Sequence, residues 1–258
     1  MPRKATTAGV DIAYEVIGVG TPLALLHMIF DAKESWSELG YAEQLLGSGR
    51  QLICIDASGH GESSKPHQPE PYQLRPRADE VAAVLDDLKI EKCEVLGYSM
   101  GGWTALGLVC HHPDRLVSAA VGGALPYAQD LQPLRTVVAQ GPAAWVGFLE
   151  SMSSSPLPPA MRERVVANDQ KALAAVVAED RPDISDQVAS ATIPMLFFAG
   201  DKDPRHERCR EFAERTGSRF VSVRGAHHIQ SLLERDTVVH EVLSFFHEVA
   251  QARAVRTR

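Results

Sequence analysis

The sequence predicts a single α/β domain with a mostly parallel sheet, and two observations support this prediction. Apolar runs of strand length recur along the 258 residues, and most are continuously apolar, as expected for central strands covered on both faces. Segments with helical spacing of apolar residues separate these runs, which indicates parallel strands connected by helices on both faces of the sheet. A chain of this length suits one large domain better than two.

The predicted strands follow one another at intervals that leave room for a helix between most of them. They cover residues 10–17, 22–27, 51–56, 93–98, 116–121, 194–199 and 219–223. Residues 10–17 and 22–27 are close enough in sequence to form a hairpin, so we expect a mixed sheet. Apolar residues spaced by three or four predict helices over residues 74–88, with Pro76 in the first turn, and over residues 232–249.

The segment from about residue 127 to residue 187 interrupts this alternation. It contains no strand-like run and has helical patterns near residues 134–148 and 161–179. We predict that residues 127–187 form a helical cap over the carboxyl edge of the sheet, where open α/β sheets bind ligands. Residues 1–126 and 188–258 would form the core. The alternative is an extra helical layer with no role at a site.

Charge and hydropathy exclude several classes of function. The formal net charge is −7 and no block of Lys or Arg stands out, so nucleic acid is not an expected partner. No apolar run approaches the roughly 20 residues that span a bilayer, so we expect no membrane association. The charged N-terminal residues are not followed by an apolar segment, so we expect no secretory signal.

Cysteine usage and glycine motifs bear on compartment and cofactors. The four cysteines are widely spaced and form no C-x-x-C pair, which favours a reducing cytoplasm over an oxidising compartment; they are Cys54, Cys93, Cys110 and Cys209. No set of His and Cys residues has the short spacing of a zinc site, so we expect no metal. No phosphate-binding glycine motif follows a strand, so we expect no cofactor. The partner is therefore a small-molecule substrate, and the oligomeric state, monomer or homodimer, stays open.

A candidate nucleophile lies where the predicted strand over residues 93–98 meets an apolar helical segment. The sequence Gly97-Tyr98-Ser99-Met100-Gly101-Gly102 at this point fits the pattern G-x-S-x-G. A nucleophilic serine needs such a sharp strand-to-helix turn, and the glycines leave room for the strained backbone. The N-terminus of the helix also faces the negative charge that develops on a substrate. The alternative is a glycine-rich turn in which the serine is a helix N-cap.

A serine hydroxyl is a weak nucleophile without a base, and two histidines stand in a suitable place. His227 and His228 follow the last predicted strand and precede the final helix. The acid that orients such an imidazole should follow the preceding strand, where Asp201 and Asp203 both occur. The chain order of serine, acid and histidine is known for a serine triad. Either aspartate could equally be a turn or cap residue.

Four motifs in this order resemble those of the α/β-hydrolase superfamily, in its single-domain, lidded, esterase-like branch. Besides the serine turn, residues 56–63 match D-x-x-G-H-G-x-S, residues 200–204 resemble G-x-x-D, and residues 225–228 resemble G-x-G-H. The resemblance covers nearly the whole chain. It implies the α/β-hydrolase fold, a mostly parallel mixed sheet of about eight strands with helices on both faces and a small helical lid. It also implies that His60 belongs to a structural turn.

The resemblance selects among the candidate catalytic residues. The last position of the G-x-x-D segment is the triad acid of the family, which selects Asp203 over Asp201. The histidine of G-x-G-H corresponds to His228, with His227 in place of a glycine. Ser99 is then the nucleophile of a Ser-His-Asp triad.

One loop departs from the family pattern. Members of the family usually carry His-Gly at the end of the strand that corresponds to residues 22–27. In this sequence His27 is followed by Met28 instead. By position, the oxyanion donors would be the backbone N–H groups of Ile29 and Met100, and His27 would order the loop. Loss of one such donor typically costs about 10²–10³ in rate, so the departure matters. The bulky residues from Met28 to Phe30 would also narrow the pocket.

These residues together predict a serine hydrolase that cleaves a carboxylic ester or lactone of a small, largely apolar substrate through a Ser99 acyl-enzyme. The same triad could support carbon–carbon bond hydrolysis or cofactor-free perhydrolysis, because fold and triad do not separate these reactions. The alternative to an enzyme is a ligand-binding or signalling protein with little turnover. This alternative is supported by Met28 and His227, which stand where the family usually has glycine. The expected substrate-lining residues are Met28, Phe30, Trp145, Phe148, Met152 and Leu157.

Overall fold

The computed structural model describes residues 3–153 and 155–256, and these residues form an eight-stranded sheet surrounded by helices. The strands are β1 (Arg3–Thr7), β2 (Val10–Ile17), β3 (Thr21–Leu26), β4 (Arg50–Ile55), β5 (Cys93–Tyr98), β6 (Leu116–Gly122), β7 (Met195–Gly200) and β8 (Arg219–Val223). The helices are α1 (Ser35–Glu38), α2 (Tyr41–Gly47), α3 (Leu74–Asp87), α4 (Met100–His111), α5 (Gln132–Gln140), α6 (Pro142–Ser153), α7 (Pro159–Ala167), α8 (Gln170–Val176), α9 (Ser185–Ser190), α10 (His206–Thr216), α11 (His228–Leu233) and α12 (Arg235–Arg256).

The sheet is mixed, as the sequence predicts, but the hairpin is not the expected one. The strand order is β1-β2-β4-β3-β5-β6-β7-β8. Strand β2 is antiparallel to both β1 and β4, and the pairs from β4 through β3 to β8 are parallel. The predicted pairing of residues 10–17 with 22–27 is therefore wrong, because β4 lies between them. The hairpin partner of β2 is β1, which is short and polar and gives no strand signal.

The continuously apolar strands are buried on both faces of the sheet. Leu23 and Leu25 of β3 belong to one apolar cluster, and Ala24 and Leu26 belong to a second cluster on the opposite face. Successive side chains of a strand point to opposite faces, so a strand covered by helices on both sides needs apolar residues at every position. Each large side chain that is fully buried contributes about 1.5–3 kcal/mol to folding.

Helices α5 to α8 lie between two residues whose backbones pair with each other, Gln129 and Arg181. Their buried side chains, including those of Trp145 and Val165, join the same apolar cluster as Leu23. Helix α9 follows this backbone pair and packs against α4, so the predicted boundary at residue 187 falls within a helix that contacts the core. The division into a core and a functional cap stays a prediction.

The longest helix is α12, with 22 residues. Its apolar side chains pack against the sheet face beside α2. Across residues 3–153 and 155–256, no helix combines the length and the hydropathy needed to cross a bilayer.

Helix α4 approaches the end of β3 more closely than a residue with a side chain would allow. A Cβ atom built on Gly101 would lie 2.0 Å from the carbonyl oxygen of Leu26 and 2.8 Å from that of His27. The neighbouring Gly97 is equally constrained, because its Cβ would lie 2.2 Å from the carbonyl oxygen of Gly101. These glycines let α4 begin directly above the carboxyl end of β5.

We expect Gly101→Ala to lower the free energy of unfolding by about 2 kcal/mol or more, because backbone atoms must move to admit the methyl group. Urea unfolding of the variant beside the wild type measures this loss. Gly147→Ala is the matched control, since a Cβ at Gly147 in α6 meets nothing within 4 Å. The control should leave stability unchanged or raise it by up to about 1 kcal/mol. Equal stability of both variants would contradict the close approach described here.

Candidate active site

The serine turn places Ser99 above the carboxyl edge of the sheet. Its backbone has φ 55° and ψ −108°, a conformation that residues with side chains rarely adopt. The Ser99 N–H donates to the carbonyl oxygen of Gly122 at 2.8 Å, and the Ser99 carbonyl accepts from the N–H of Trp103 at 2.9 Å. The turn is therefore fixed by β6 on one side and by α4 on the other, which directs the half-buried Ser99 side chain away from the sheet.

Three predicted residues from different strand ends meet at this point. The Nε2 atom of His228 lies 3.1 Å from the Ser99 Oγ atom, and its Nδ1 atom lies 2.6 Å from Oδ2 of Asp203. Because the carboxylate accepts, the imidazole carries its proton on Nδ1 and presents the Nε2 lone pair to the serine hydroxyl. His228 and Asp203 are buried. The arrangement allows a proton to pass from Ser99 to His228.

The surroundings hold His228 and Asp203 in place. The second carboxylate oxygen of Asp203 accepts from the Arg205 backbone N–H at 2.9 Å and from its Nη1 at 3.2 Å. The Tyr98 hydroxyl donates to the His228 carbonyl oxygen. Both oxygens of the carboxylate are thus engaged, and the imidazole is fixed at its backbone as well as at Nδ1.

The two alternative residues, Asp201 and His227, have other contacts. Asp201 is exposed, and its carboxylate accepts from the Gly225 N–H at 2.8 Å. His227 has an ordinary extended backbone, φ −79°, and its N–H donates to the side chain of Gln230 at 3.0 Å, which begins α11. No glycine is needed at residue 227, because its φ is negative. The geometry brings Asp203 rather than Asp201 to His228.

The pKa values of His228 and Asp203 both lie below their ordinary values, for different reasons. Burial lowers the pKa of His228 below its ordinary value, the charges of Arg205 and Arg181 lower it further, and Asp203 opposes them. For Asp203, burial favours the neutral acid, but the hydrogen bond and charge of His228 and the charge of Arg205 bring its pKa to about 2. At neutral pH the geometry therefore holds a neutral imidazole beside an ionised carboxylate.

The loop after β3 keeps an ordered structure despite the missing glycine. The Ala57 N–H donates to Nε2 of His27 at 3.1 Å, so the His27 proton lies on Nδ1 and donates to the Met28 carbonyl oxygen at 2.7 Å. His27 thus orders this loop. The residue with a left-handed backbone is Phe30, with φ 69°, and not Met28. A methionine at residue 28 is therefore compatible with the backbone of the loop.

The predicted oxyanion donors border the cavity beside Ser99. Ile29 and Met100 both line this cavity. Met100 is the first residue of α4, so its N–H has no acceptor within the helix and is available to a ligand. The assignment of these two N–H groups as donors stays a prediction.

A buried charge network fixes the turn at residues 56–63. The Asp56 carboxylate accepts from the backbone N–H groups of Lys33 and Glu62 and from the Lys33 ammonium, which lies 2.8 Å away. The Lys33 ammonium also contacts the Glu34 and Glu62 carboxylates, each at 2.7 Å. His60 is fully buried in the same turn, and burial holds its pKa well below the ordinary value. These contacts agree with a structural rather than a reactive role for His60.

Helix α7 is attached by a second buried ion pair to the loop between β3 and α1, residues 27–34. We call this segment the oxyanion loop, after its predicted donor Ile29. The Arg164 Nε atom donates to Oδ1 of Asp31 at 2.9 Å, and its Nη1 contacts Glu38 at 2.6 Å. The side-chain amide of Asn168 donates to the Phe30 carbonyl oxygen at 2.8 Å. The position of the loop therefore depends on the helices between residues 127 and 187.

The cavity beside Ser99 has a volume of about 60 Å³. Of the six predicted lining residues, Met28, Phe148 and Met152 do line it. The prediction is corrected for Phe30, Trp145 and Leu157, which are buried in the apolar cluster instead, where Phe30 and Trp145 stack at 5.7 Å. Their side chains attach α6 and the following segment to the rest of the protein. Helical periodicity indicates that such residues are buried, but not which neighbour they face.

Two arginines that were not predicted from the sequence, Arg181 and Arg205, also line the cavity. Arg205 follows the candidate acid by two residues, a position that could have suggested a contact with its carboxylate. Nothing in the sequence around Arg181 indicates that its side chain reaches the site. Among the described residues that line the cavity, none is an aspartate or a glutamate.

Comparisons with known proteins agree with this fold. A family model described as alpha/beta hydrolase fold matches residues 21–149. The chain is 25% identical to a hydrolase from Pseudomonas aeruginosa of solved structure, with a TM-score of 0.80 over 95% of this chain and 97% of that one.

The chain is also similar to two curated relatives. A putative 2-succinyl-6-hydroxy-2,4-cyclohexadiene-1-carboxylate synthase of Bacillus subtilis is 24% identical over 75% of this chain and 78% of its own. The 3-oxoadipate enol-lactonase 2 of Acinetobacter baylyi is 30% identical over 59% of this chain, and the match spans 61% of that enzyme.

The effect of the Arg205 charge on the pKa of His228 should be measurable. We expect the His228 pKa, followed by NMR of its ring protons, to lie below 6.5 in the wild type, because burial and positive charge both disfavour the imidazolium. In Arg205→Gln the His228 pKa should rise, because a nearby like charge is removed.

Arg210→Gln is the matched control for this titration. Arg210 lies on α10, the helix that begins directly after Arg205, but it forms ion pairs with Glu207 and Glu214 at the surface. Its loss should leave the His228 pKa unchanged. An unchanged pKa in Arg205→Gln would refute the coupling between Arg205 and His228.

Proposed function

Because this chain belongs to the α/β-hydrolase fold family, we propose that it is a serine hydrolase that cleaves carboxylic esters or lactones through an acyl-enzyme on Ser99. The observation that carries the proposal is the continuous hydrogen-bonded path from Ser99 Oγ through His228 to Asp203, with heavy-atom distances of 3.1 and 2.6 Å. This path supplies a nucleophile, a base with its lone pair directed at the nucleophile, and an acid that orients the base.

In the proposed acylation step, Ser99 Oγ attacks the carbonyl carbon while Nε2 of His228 takes the hydroxyl proton. The imidazolium that forms is stabilised by the ionised Asp203, whose low pKa keeps it charged through the step. The backbone N–H groups of Ile29 and Met100 would bind the oxyanion. His228 then returns the proton to the departing alkoxide, and the acyl group stays on Ser99.

In the proposed deacylation step, water takes the place of the alcohol. His228 removes a proton from the water, the resulting hydroxide attacks the acyl carbon, and the carboxylic acid leaves as the proton returns to Ser99 Oγ. In a lactone the departing alkoxide stays attached to the acyl chain, so one ring opens and one product forms. The similarity to a 3-oxoadipate enol-lactonase supports a lactone or enol ester as one substrate class.

The small volume of the cavity favours compact substrates. About 60 Å³ accommodates only a few heavy atoms, so a longer acyl chain must displace Phe148 or Met152 on α6. Both side chains are half-buried and lie in the wall that α6 contributes.

The proposed triad is tested by single substitutions assayed with p-nitrophenyl butyrate. We expect Ser99→Ala and His228→Ala to lower kcat by about 10⁴- to 10⁶-fold, and Asp203→Asn by about 10⁴-fold, because each removes one member of a unit that acts together. The rate of p-nitrophenolate release under saturating substrate measures these losses.

Asp201→Asn is the matched control, because Asp201 bonds a turn N–H and has no contact with His228. It should retain kcat within a few-fold. Full activity of Ser99→Ala would exclude the acyl-enzyme. A reactive Ser99, labelled by a fluorophosphonate, with no turnover of any ester, lactone, carbon–carbon or perhydrolysis substrate would favour the ligand-binding alternative.

The cavity size predicts the preferred acyl length. Among p-nitrophenyl esters from acetate to octanoate, we expect the highest kcat/KM with acetate or butyrate, since each methylene that does not fit costs roughly tenfold or more. In Phe148→Ala the optimum should move to a longer chain, because the wall of α6 recedes.

Val166→Ala is the control for this chain-length series. Val166 lies on α7 and is 45% exposed, so its truncation changes the surface of the cap segment and not the cavity. The wild-type optimum should persist in this variant. An octanoate optimum in the wild type would contradict the small cavity.

A further inference from the structure

Arg181 occupies a distinctive place in the wall of the cavity that contains Ser99. Its half-buried side chain lines both that cavity and an outer groove of about 590 Å³ bordered by α3, α4 and α8. The charge of Arg181 is felt at His228, whose pKa it lowers. A group bound to Arg181 inside the cavity would therefore share that cavity with Ser99 and His228.

The guanidinium of Arg181 is held in one orientation. Its Nη1 donates to the side-chain oxygen of Gln129 at 3.1 Å, and the two backbones pair as a bridge. Its carbon Cζ lies 5.2 Å from the centre of the Trp103 ring, a cation–π distance. Throughout the described part of the chain, no protein acceptor contacts its Nε or Nη2. These two donors form an edge suited to bidentate binding of a planar anion.

The acidic residues next to Arg181 in the sequence are occupied elsewhere. Asp180 pairs with Arg135, the Asp183 carboxylate accepts from the Ser185 N–H, and Glu179 accepts from the side chain of Gln73, so no carboxylate within residues 3–153 and 155–256 pairs with Arg181. The described cavity wall contains no aspartate or glutamate either. Among the described residues, Arg181 is thus a cation without a counter-ion.

The neighbouring arginines add to the positive potential instead of relieving it. Burial lowers the pKa of Arg181 to about 9, and the charges of Arg205 and Arg77 contribute to this shift. At neutral pH the guanidinium is still charged. Arg205 has Asp203 as its partner, and Arg77 has Glu80, at 3.2 and 3.5 Å respectively. A charged group in these surroundings gains most from an anionic ligand, because that ligand restores the solvation which burial removes.

We propose that Arg181 is the anion-binding residue of the cavity and that the ester or lactone substrate carries a carboxylate group that Arg181 binds. This inference rests on the proposed hydrolase function and narrows its substrate class. One unpaired cation matches a monoanion, and the small cavity fits a planar carboxylate better than a phosphate dianion. The carboxylate would orient the substrate so that its ester carbonyl faces Ser99.

Two isosteric substrates test this assignment. The p-nitrophenyl monoester of glutaric acid has a terminal carboxylate where p-nitrophenyl 5-methylhexanoate has an isopropyl group. We expect the wild type to hydrolyse the glutaryl ester with a kcat/KM at least about tenfold higher. Arg181→Met should lower this ratio about 10- to 100-fold, because a buried charge pair loses one partner. Arg181→Lys, which keeps the charge but not the two-pronged edge, should lie between them.

Arg162→Met is the matched control, because Arg162 is an exposed arginine of α7 that pairs with Glu150 at the surface. It should keep the wild-type ratio. A wild-type enzyme that does not prefer the glutaryl ester, or a ratio unchanged in both Arg181 variants, would overturn the inference. Serine-dependent hydrolysis of the neutral ester in the same experiment would leave the hydrolase function intact.

Measuring the binding of glutarate directly tests the anion site at Arg181 independently of the proposed hydrolase function. Calorimetry with glutarate on Ser99→Ala needs no turnover. Binding that weakens at least about tenfold in the Ser99→Ala/Arg181→Met double variant supports the anion site even if neither ester is hydrolysed. No binding, or equal binding by the single and double variants, would overturn it. Thermal unfolding of each variant shows whether the substituted protein is folded.

Discussion

Ser99 has a left-handed backbone that costs about 1–3 kcal/mol for a residue with a side chain, and the surrounding elements are arranged to hold it. Strand β5 and the first ten residues of α4, on either side of it, are buried throughout. A Cβ at Gly97, Gly101 or Gly122 would meet another atom at 2.2 Å or less. The glycines thus allow α4 to pack closely against the ends of the strands. This packing holds the Ser99 hydroxyl above the carboxyl edge of the sheet.

The other groups of the site reach Ser99 because each is anchored at a different strand end. Asp203 follows β7 and His228 follows β8, while the oxyanion loop follows β3. Polar contacts hold each of these loops: Arg205 on Asp203, Tyr98 on His228, and Arg164 of α7 on the oxyanion loop. The last contact joins α7 to the oxyanion loop, so the position of this loop depends on that helix.

The sequence predicted the strands, their mixed sheet and the meeting of Ser99, Asp203 and His228, because buried parallel strands and their carboxyl-end loops have strong local patterns. It missed β1, whose residues are polar, and it placed Phe30 and Trp145 in the pocket instead of the core. A helical stripe shows that a residue is buried but not against which neighbour. The two replaced glycines were less consequential than expected, since residues 28 and 227 both have negative φ.

Charges near the carboxyl edge of the sheet follow one rule with one exception. Buried ions are costly unless paired, and here each is paired with an opposite charge, as in Lys33–Asp56, Arg77–Glu80, Arg164–Asp31 and Arg205–Asp203. Arg181 has no such partner among the described residues, yet two further arginines act on it. A protein that neutralises its other enclosed charges and leaves this one open, in a cavity whose described lining contains no acid, has the electrostatics of a binding site for an anion. The missing counter-ion is then supplied by the substrate.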